Sequence, residues 1–141
     1  MRVINGVKTI VLNPQGQVLL LRRSLTDMRR PGEWDLPGGG VDDVEDFALA
    51  ACRELMEEAG IEVPARHMHL AYAATDWYED TSVSANRFLF VTQLANDVIV
   101  RLSKEHDEFK WVDVETAVNE FTHEVYVRGI RYAQAHHLFV L

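Results

Sequence analysis

The sequence lacks the features of a disulfide-stabilised, secreted or membrane-spanning protein. Its single cysteine, Cys52, can form no internal disulfide and suits a reducing compartment. No apolar run approaches the roughly 18 residues needed to cross a bilayer. The N-terminal segment MRVINGVKTI contains no long apolar signal sequence. We therefore expect a cytoplasmic protein that has no membrane partner.

The chain also lacks internal repeats, low-complexity segments and linkers rich in Pro, Gly or Ser. Its 141 residues fit one domain. A chain of this length can bury a sizeable core without disulfides or a structural metal. We predict a single domain that covers residues 1–141.

Positive charge is scarce, with 14 Lys and Arg against 22 Asp and Glu and a formal net charge of −8. An acidic protein repels the phosphate backbone of nucleic acids at long range, so no stable nucleic-acid complex is expected. If the substrate is a small phosphate compound, a cation must be recruited locally. A divalent metal ion is the obvious choice.

Apolar runs and turn signals predict strands that are joined by hairpins rather than by a regular alternation of strands and helices. The first predicted hairpin joins residues 7–12 to residues 17–24 through the turn NPQG. Further strands are predicted at 69–78, 86–94, 97–102 and 108–114, and helices at 44–59, 114–121 and 124–138. This mixture indicates an α+β protein with a mixed sheet, not a doubly wound Rossmann domain.

The helix predicted at 44–59 contains the sequence CRELMEEAGI, which is rich in carboxylates. Asp42 and Glu45 resemble a capping box at its start, and Gly60 is a natural C′ residue. On a helical wheel, Glu54 and Glu58 fall about 20° to either side of Phe47, beside the apolar stripe. Since they are four residues apart, both point the same way from adjacent turns.

These carboxylates have two interpretations. Glu57 lies roughly 60° from Glu54 on the wheel and can reach the same point. Three like charges that converge beside an apolar face are unfavourable without a cation, and oxygen ligands favour Mg²⁺, Mn²⁺ or Ca²⁺. The alternative is a solvated acidic face in which Arg53 is the internal partner. The helix by itself does not decide between them.

Three consecutive glycines, Gly38, Gly39 and Gly40, precede this helix. Glycines let the backbone approach a ligand closely and adopt positive φ, although a glycine run also occurs in any tight turn. A turn at this distance from the helix can offer a main-chain carbonyl to the same cation.

The segment from Gly39 to Ile61 has glutamate after five intervening residues and the run RELMEEAGI after seven more. It resembles the complete 23-residue signature of the Nudix hydrolase family, with every fixed position filled. The flanking segments VLLLRRS, GEWDLPGG and EHDEFKWVD also look like strands of small Nudix hydrolases, so the resemblance covers roughly the first 115 residues. It implies a Nudix-like α/β/α sandwich. It also implies metal-dependent hydrolysis of nucleoside diphosphates linked to another moiety.

The resemblance implies a set of functional residues around the signature. Glu54 and Glu58 correspond to the main metal ligands and Glu57 to a close third, and the Gly38 carbonyl looks like the main-chain ligand. Arg53 resembles the arginine that orients the glutamates by charge pairing, with Glu45 as its partner. The expected cofactor is Mg²⁺, with Mn²⁺ as a substitute.

A further glutamate of the family, from a loop after the signature, joins the metals or acts as a base. Glu105 in the sequence EHDEFKW matches that position, and Glu108 is the reserve candidate. Glu57 and Glu105 are the expected proton acceptors, and the catalytic set is Glu57, Glu58, Glu105 and Arg53. The six histidines show no spacing that suggests a ligand set.

One position departs from the family pattern. Many members have glycine immediately before the first glutamate of the signature, whereas this chain has Val44. We expect the turn to be remodelled into an earlier helix start, with the ligands unaffected.

The substrate is expected to be a small nucleotide, but the sequence says little about which one. Arg22 and Arg23 are candidates for phosphate or base contacts. Trp34, Trp77 and Tyr78 are candidate stacking surfaces, although each is also a normal packing residue. Nucleoside triphosphates, dinucleoside polyphosphates and nucleotide sugars all remain open.

Two sequence features bear on the subfamily. The sequence WDLPGGG is unlike the glutamine-containing version of RNA 5′-end pyrophosphohydrolases, which disfavours that subfamily. Tyr78 lies 17 residues after Ile61, where dinucleoside polyphosphate hydrolases tend to have a tyrosine. The competing functional class is a non-catalytic nucleotide-binding module on a Nudix scaffold, although such modules usually lose the glutamates that this chain retains.

The oligomeric state is left open. Leu49 and Met56 lie opposite the ligand face of the predicted helix. They can pack either under the C-terminal helices or against the second subunit of a homodimer.

Overall fold

A seven-stranded mixed sheet separates one helix from two others in a computed structural model that describes residues 1–121 and 123–140. The elements in chain order are β1 (Arg2–Leu12), β2 (Val18–Arg23), β3 (Trp34–Asp35), β4 (Gly38–Gly40), α1 (Phe47–Ala59), β5 (His69–Tyr78), β6 (Val83–Gln93), β7 (His106–Val112), α2 (Val114–Glu120) and α3 (Glu124–Ala135). Single turns of 3₁₀ helix cover Ala65–His67 and Glu79–Thr81.

The strand order confirms the predicted mixed sheet. Five strands run in the order β3-β2-β1-β6-β5, while β4 pairs with β1 and β7 pairs with β2. The central pair, β1 with β6, is parallel from Arg2–Val83 to Leu12–Gln93, and the other pairs are antiparallel.

Side chains alternate between two cores, one on each face of the sheet. From β1, Val7 and Val11 pack with Leu55 of α1. Ile10 and Leu12 point the other way and pack with residues of α2 and α3. The layers are therefore α/β/α, as the family resemblance implied. Both predicted C-terminal helices form, although α3 ends at Ala135 rather than at residue 138.

The first hairpin is shorter than predicted. Its turn forms at 13–17, but β1 and β2 pair only where Leu12 meets Val18 and then diverge. Beyond that point β1 pairs with β4, and β2 pairs with β3 and β7. The glycines at 38–40 are accordingly a short strand and not a tight turn, because their backbone hydrogen-bonding partners lie on β1.

The helix of the signature begins later than predicted. Asp46 is its N-cap, and its carboxylate accepts from the backbone N–H groups of Ala48 and Leu49. The predicted cap, Asp42, lies in a preceding turn, where its N–H donates to Glu45. We expected the helix to start at Val44, but Val44 lies outside it. It takes a left-handed conformation, with φ 56°, that allows the chain to turn before Asp46.

The other end of α1 matches the prediction and explains one wrong strand. Gly60 is left-handed, with φ 69°, and closes the helix through its N–H to Met56. Residues 97–102 form no strand, because this segment hydrogen-bonds to the end of α1 instead. The N–H of Arg101 donates to the Ala59 carbonyl at 2.8 Å and that of Ser103 to the Glu58 carbonyl at 3.3 Å. These bonds satisfy helix carbonyls that have no partner within the helix.

The outer face of α1 remains exposed. Leu49 and Met56 are 54% and 47% accessible, and they do not pack under the C-terminal helices, which lie across the sheet. The homodimer stays a prediction. Among the described residues, no helix combines the length and apolar character that crossing a membrane requires. The cytoplasmic location also stays a prediction.

Candidate active site

The three glutamates of α1 differ sharply in exposure, and the two that the helical wheel places beside the apolar stripe are the less exposed ones. Glu58 is 3% accessible, and the Glu54 side chain is 12% accessible. The Glu57 side chain, on the polar side, is 57% accessible. Two carboxylates therefore lie largely out of water beside the core, and a third stands at the edge.

Glu58 is held by the glycine strand, which is β4 (Gly38–Gly40). The backbone N–H of Gly38 donates to Glu58 Oε1 at 2.7 Å. Burial raises the pKa of Glu58 to about 9, the neighbouring Glu105 adds to the rise, and Lys8 opposes it. Burial also raises the pKa of Glu54. Both groups hold protons more tightly than exposed glutamates, so their ionised forms need a cation nearby.

Arg53 forms ion pairs with three glutamates of the signature. Its Nε and Nη2 donate to the two carboxylate oxygens of Glu45 at 2.8 and 2.9 Å. Its Nη1 reaches Glu54 at 3.1 Å and Glu57 at 3.4 Å, and Nη2 also donates to the Gly40 carbonyl at 3.1 Å. The bidentate pair with Glu45 is the geometry in which arginine orients a carboxylate most precisely.

The glycine strand is pressed against both β1 and α1. A Cβ at Gly39 would lie 2.8 Å from the Glu54 carboxylate, so the absence of a side chain lets Glu54 rest against the strand. The Gly38 carbonyl, the predicted main-chain ligand, accepts a long 3.5 Å bond from Lys8 Nζ. That ammonium also donates to Asp35 at 2.9 Å. Lys8 was missed from sequence because a lone lysine in a strand carries no functional signal.

Glu105 reaches the cluster from the loop before β7. Its side chain is exposed, yet one of its oxygens lies within 4.8 Å of a Glu58 oxygen. The Glu105 carbonyl accepts from the N–H of Ser24 at 2.9 Å, which fixes the loop to the end of β2. Among the predicted residues, the structure thus brings together Glu54, Glu57, Glu58, Glu105, Arg53 and Gly38.

His106 joins this group although no histidine was expected to. One of its ring nitrogens lies within 4.8 Å of oxygens of both Glu58 and Glu105. The ring is 5% accessible, and neither nitrogen has a hydrogen-bond partner among the described residues. Burial lowers the pKa of His106, and Lys8 acts in the same direction. The available signal was its position directly after Glu105, since histidine spacing alone indicated nothing.

The two predicted arginines lie near this edge but already have carboxylate partners. Arg22 pairs with Asp107 at 2.8 Å and Glu108 at 3.2 Å, on the surface. Arg23 is more enclosed and pairs with Asp27 at 2.9 Å and with the buried Asp35 at 3.3 Å. Glu108, the reserve candidate for the metal site, is thus the partner of Arg22.

The aromatic candidates occupy different surroundings. Trp34 packs against the core beneath α2 and α3, with the Lys110 ammonium 4.1 Å from its ring centroid. Tyr78 ends β5, and its hydroxyl accepts from Arg87 at 2.9 Å. Trp77 is 53% accessible. The contacts of Trp34 and Tyr78 are thus with a lysine and an arginine rather than with the signature glutamates.

The donor set fits a divalent cation. It combines buried carboxylate oxygens, whose pKa values are raised, with an imidazole that has no hydrogen-bond partner in the described structure. Buried polar groups without partners are costly, and a cation would satisfy several of them at once. Carboxylate oxygens suit Mg²⁺ and Mn²⁺, and imidazole suits transition metals.

Comparison with known proteins agrees with this geometry. Residues 4–131 match the NUDIX domain. The chain is 31% identical over 130 residues to an RNA pyrophosphohydrolase of Rhodospirillum rubrum, covering 80% of this chain and 74% of that protein. A 39% identical match to an octanoyltransferase of Myxococcus xanthus spans 74% of this chain but only 29% of the much longer relative.

A solved structure shows the same fold over nearly the whole chain. The MutT protein of Methanosarcina mazei superposes with a TM-score of 0.76 at 30% identity and covers 96% of each chain. The matched domain extends past β7 into α3, beyond the segment in which the sequence resemblance was found. This chain therefore belongs to the Nudix family of hydrolases, enzymes that act on pyrophosphate bonds.

Proposed function

We propose that the chain cleaves a diphosphate bond in a nucleoside diphosphate linked to another moiety, by metal-dependent attack of water on phosphorus. The observation that carries the proposal is Glu58, a 3% accessible carboxyl group whose pKa is raised to about 9 and whose neighbours include Glu54 and Glu105. Such a cluster is unfavourable in its ionised form unless a cation binds to it.

The proposed ligands are the carboxylates of Glu54, Glu57, Glu58 and Glu105 with the carbonyl of Gly38. Mg²⁺ is the proposed cofactor, and Mn²⁺ is its substitute. The bound cations would lower the pKa of water and offset negative charge on the phosphoryl oxygens. The close approach of Gly39 to Glu54 and the hydrogen bond from Gly38 to Glu58 support this arrangement, since both hold carboxylates in position.

The residues of the chain have separate proposed roles. Arg53 positions Glu54 and Glu57 through its paired contacts and is itself anchored by Glu45. Glu57 and Glu105 are the proposed proton acceptors, because both side chains are open to water while Glu58 is enclosed. A general base must have access to the water that it deprotonates.

Arg22 is the better-placed of the two arginines to contact substrate phosphate. Its bonds to Asp107 and Glu108 are at the surface, where ion pairs contribute little and exchange readily. Arg23 is more constrained, since releasing it would leave the buried Asp35 with one fewer partner. Trp34 and Tyr78 remain proposed contacts for the nucleoside.

The proposal is tested by incubating the chain with Mg²⁺ or Mn²⁺ and a panel of compounds, and by comparing kcat/KM. The panel contains a nucleoside triphosphate, a dinucleoside tetraphosphate, a nucleotide sugar and an RNA carrying a 5′-triphosphate. The RNA is included because the Rhodospirillum relative is named for that activity, which the sequence WDLPGGG disfavours. Reaction in ¹⁸O-labelled water should place the label on a phosphoryl product.

Two results would contradict the proposal. Label found on carbon rather than phosphorus would exclude attack at phosphorus. Tight binding of nucleotides with Mg²⁺, without release of phosphate, pyrophosphate or nucleoside monophosphate from any compound, would favour the alternative of a non-catalytic binding module.

A further inference from the structure

We propose that His106 supplies a nitrogen ligand to a cation shared with Glu58 and Glu105, which makes this part of the site selective for a transition metal such as Mn²⁺ over Mg²⁺. This inference rests on the metal dependence in the proposed function, and it adds a ligand that lies outside the 23-residue signature.

The first argument is proximity. A ring nitrogen of His106, an oxygen of Glu58 and an oxygen of Glu105 all lie within 4.8 Å of one another. Ligand bonds to divalent metals are about 2.1 Å long, so atoms on opposite sides of one cation are roughly 4 Å apart. The upper limit of 4.8 Å between these three atoms is close to that spacing.

The second argument is the unsatisfied imidazole. His106 is 5% accessible, and both ring nitrogens lack hydrogen-bond partners within the described part of the chain. Burying a polar group without a partner costs roughly 1–3 kcal/mol. A histidine that served only to fill space would be replaced at lower cost by an apolar side chain. A metal bond would satisfy one of these two nitrogens.

The third argument is the backbone that aims the ring. Along β7, Glu108 pairs with Arg22 but His106 pairs with Arg23, so Asp107 is an extra residue in the ladder. Without this bulge, strict alternation would put His106 on the same face as Glu108, away from α1. The bulge turns His106 to the face of its partner Arg23 and of Leu21, which packs with α1.

The chemistry of the ligands decides which metal is favoured. Mg²⁺ prefers six oxygens in a regular octahedron and gains little from nitrogen. Imidazole is a good ligand for first-row transition metals, and Mn²⁺ also accepts carboxylates. A site with two carboxylates and one imidazole therefore raises the affinity for Mn²⁺ relative to Mg²⁺, whereas the remaining glutamates of α1 do not discriminate in this way.

The experiment is pulsed EPR of the whole chain loaded with Mn²⁺, which detects nitrogen bound directly to the metal. We expect a ¹⁴N coupling in the unaltered chain that changes to a ¹⁵N coupling when the histidines are labelled with ¹⁵N. His106→Gln should abolish the coupling and weaken Mn²⁺ binding by about tenfold or more, with little change for Mg²⁺. His69→Gln is the matched control, because His69 is exposed on β5, and it should leave both readouts unchanged.

The outcomes separate this inference from the proposed function. Mn²⁺ that binds without any histidine coupling in the unaltered chain would overturn the ligand role of His106, while the metal-dependent hydrolase would stand. A chain that binds neither Mn²⁺ nor Mg²⁺ would overturn both. The isotope experiment needs no substitution, so a His106→Gln variant that fails to fold does not affect it.

Discussion

The backbone N–H of Gly38 donates to the carboxylate of Glu58 across 2.7 Å, and this bond joins the glycine strand to the signature helix. The two residues are 20 positions apart, and Glu58 is almost fully buried where they meet. The bond connects the glycines and the glutamates of this chain directly. Gly38 of the strand binds the Glu58 carboxylate, and α1 sets the position of Glu58.

Gly38→Ala should destabilise the fold severely, whereas Gly40→Ala should not. A Cβ at Gly38 would lie 2.0 Å from the Val7 carbonyl oxygen, on a backbone that cannot move without breaking the pairing of β4 with β1. A Cβ at Gly40 meets nothing within 4 Å. We expect a loss of at least about 3 kcal/mol for the first variant and a change within about 1 kcal/mol for the second, measured by urea denaturation. Equal stability of the two variants would contradict the described packing.

Glu58→Gln should remove activity and keep the fold. The amide retains the volume of the side chain and can still accept from Gly38, and at neutral pH it resembles the protonated carboxyl group expected from a pKa of about 9. Turnover should fall by at least about a hundredfold, as when a group that stabilises the transition state is lost. The thermal midpoint should stay close to that of the parent.

The matched control for this variant is Glu62→Gln, an exposed glutamate just beyond the same helix. It should leave kcat and the thermal midpoint unchanged. Full activity of the Glu58→Gln variant would exclude Glu58 from the metal site.

Val44→Gly should stabilise the protein. Val44 has φ 56° and is fully exposed, so its β-branched side chain strains the backbone and gains no packing in return. The left-handed conformation costs a residue with a Cβ about 1–2 kcal/mol, and glycine avoids this cost. Roughly half of the gain is lost again, because glycine has more conformational freedom to lose on folding. We expect a net gain of about 0.5–1 kcal/mol in the free energy of unfolding.

Val44→Ala separates backbone strain from the effect of removing an exposed apolar group. Alanine keeps a Cβ and hence most of the strain, so its gain should be clearly smaller than that of glycine. Equal gains for the two variants would show that conformation is not the cause.

Stability should decline in acid through Asp35. Burial alone would raise the pKa of this carboxyl group, but Lys8 outweighs it and holds the value at about 2. Because the folded value lies below the unfolded one, which is about 3.9, the unfolded chain binds the proton first as the pH falls. The stabilisation, about 2 kcal/mol, is complete above roughly pH 4 and disappears as the pH approaches 2.

Asp35→Asn should flatten this part of the curve of unfolding free energy against pH. At neutral pH it should cost about 3 kcal/mol, because Lys8 loses the carboxylate that neutralises it in a largely buried position. The exposed Asp80→Asn is the control and should reproduce the parent curve. If the parent protein and the Asp35→Asn variant lost the same unfolding free energy between pH 4 and pH 2, Asp35 would not be the source of the acid sensitivity.

Local periodicity carried much of the prediction for α1. The positions of Glu54, Glu57 and Glu58 around the helix follow from 100° per residue, and Glu54 and Glu58 are less exposed than Glu57 in the folded chain. The strand at 69–78 was predicted with its observed bounds for a similar reason, since a continuous β pattern ends at a polar loop. Neighbours along the chain determine such features.

The secondary-structure predictions were wrong where segments distant in sequence supply the backbone hydrogen-bonding partners. Residues 97–102 have the composition of a strand, but the free carbonyls at the end of α1 offered them other hydrogen bonds. The predicted helix start at Val44 was wrong because Asp46 is the better cap, and the turn before it required a left-handed residue. The hairpin was shortened because β4 and β7 took over positions along β1 and β2.

The sequence alone determined the family, the signature helix and the carboxylates that this helix presents, because regular spacing along one helix is a local property. Only the tertiary structure decided that Lys8 lies against the Gly38 carbonyl, that Arg23 is committed to Asp35, and that a bulge in β7 turns His106 toward Glu58. Each of these depends on which strands pair and in which register. A single extra residue in a strand reverses the face of every side chain beyond it, and no local pattern records that choice.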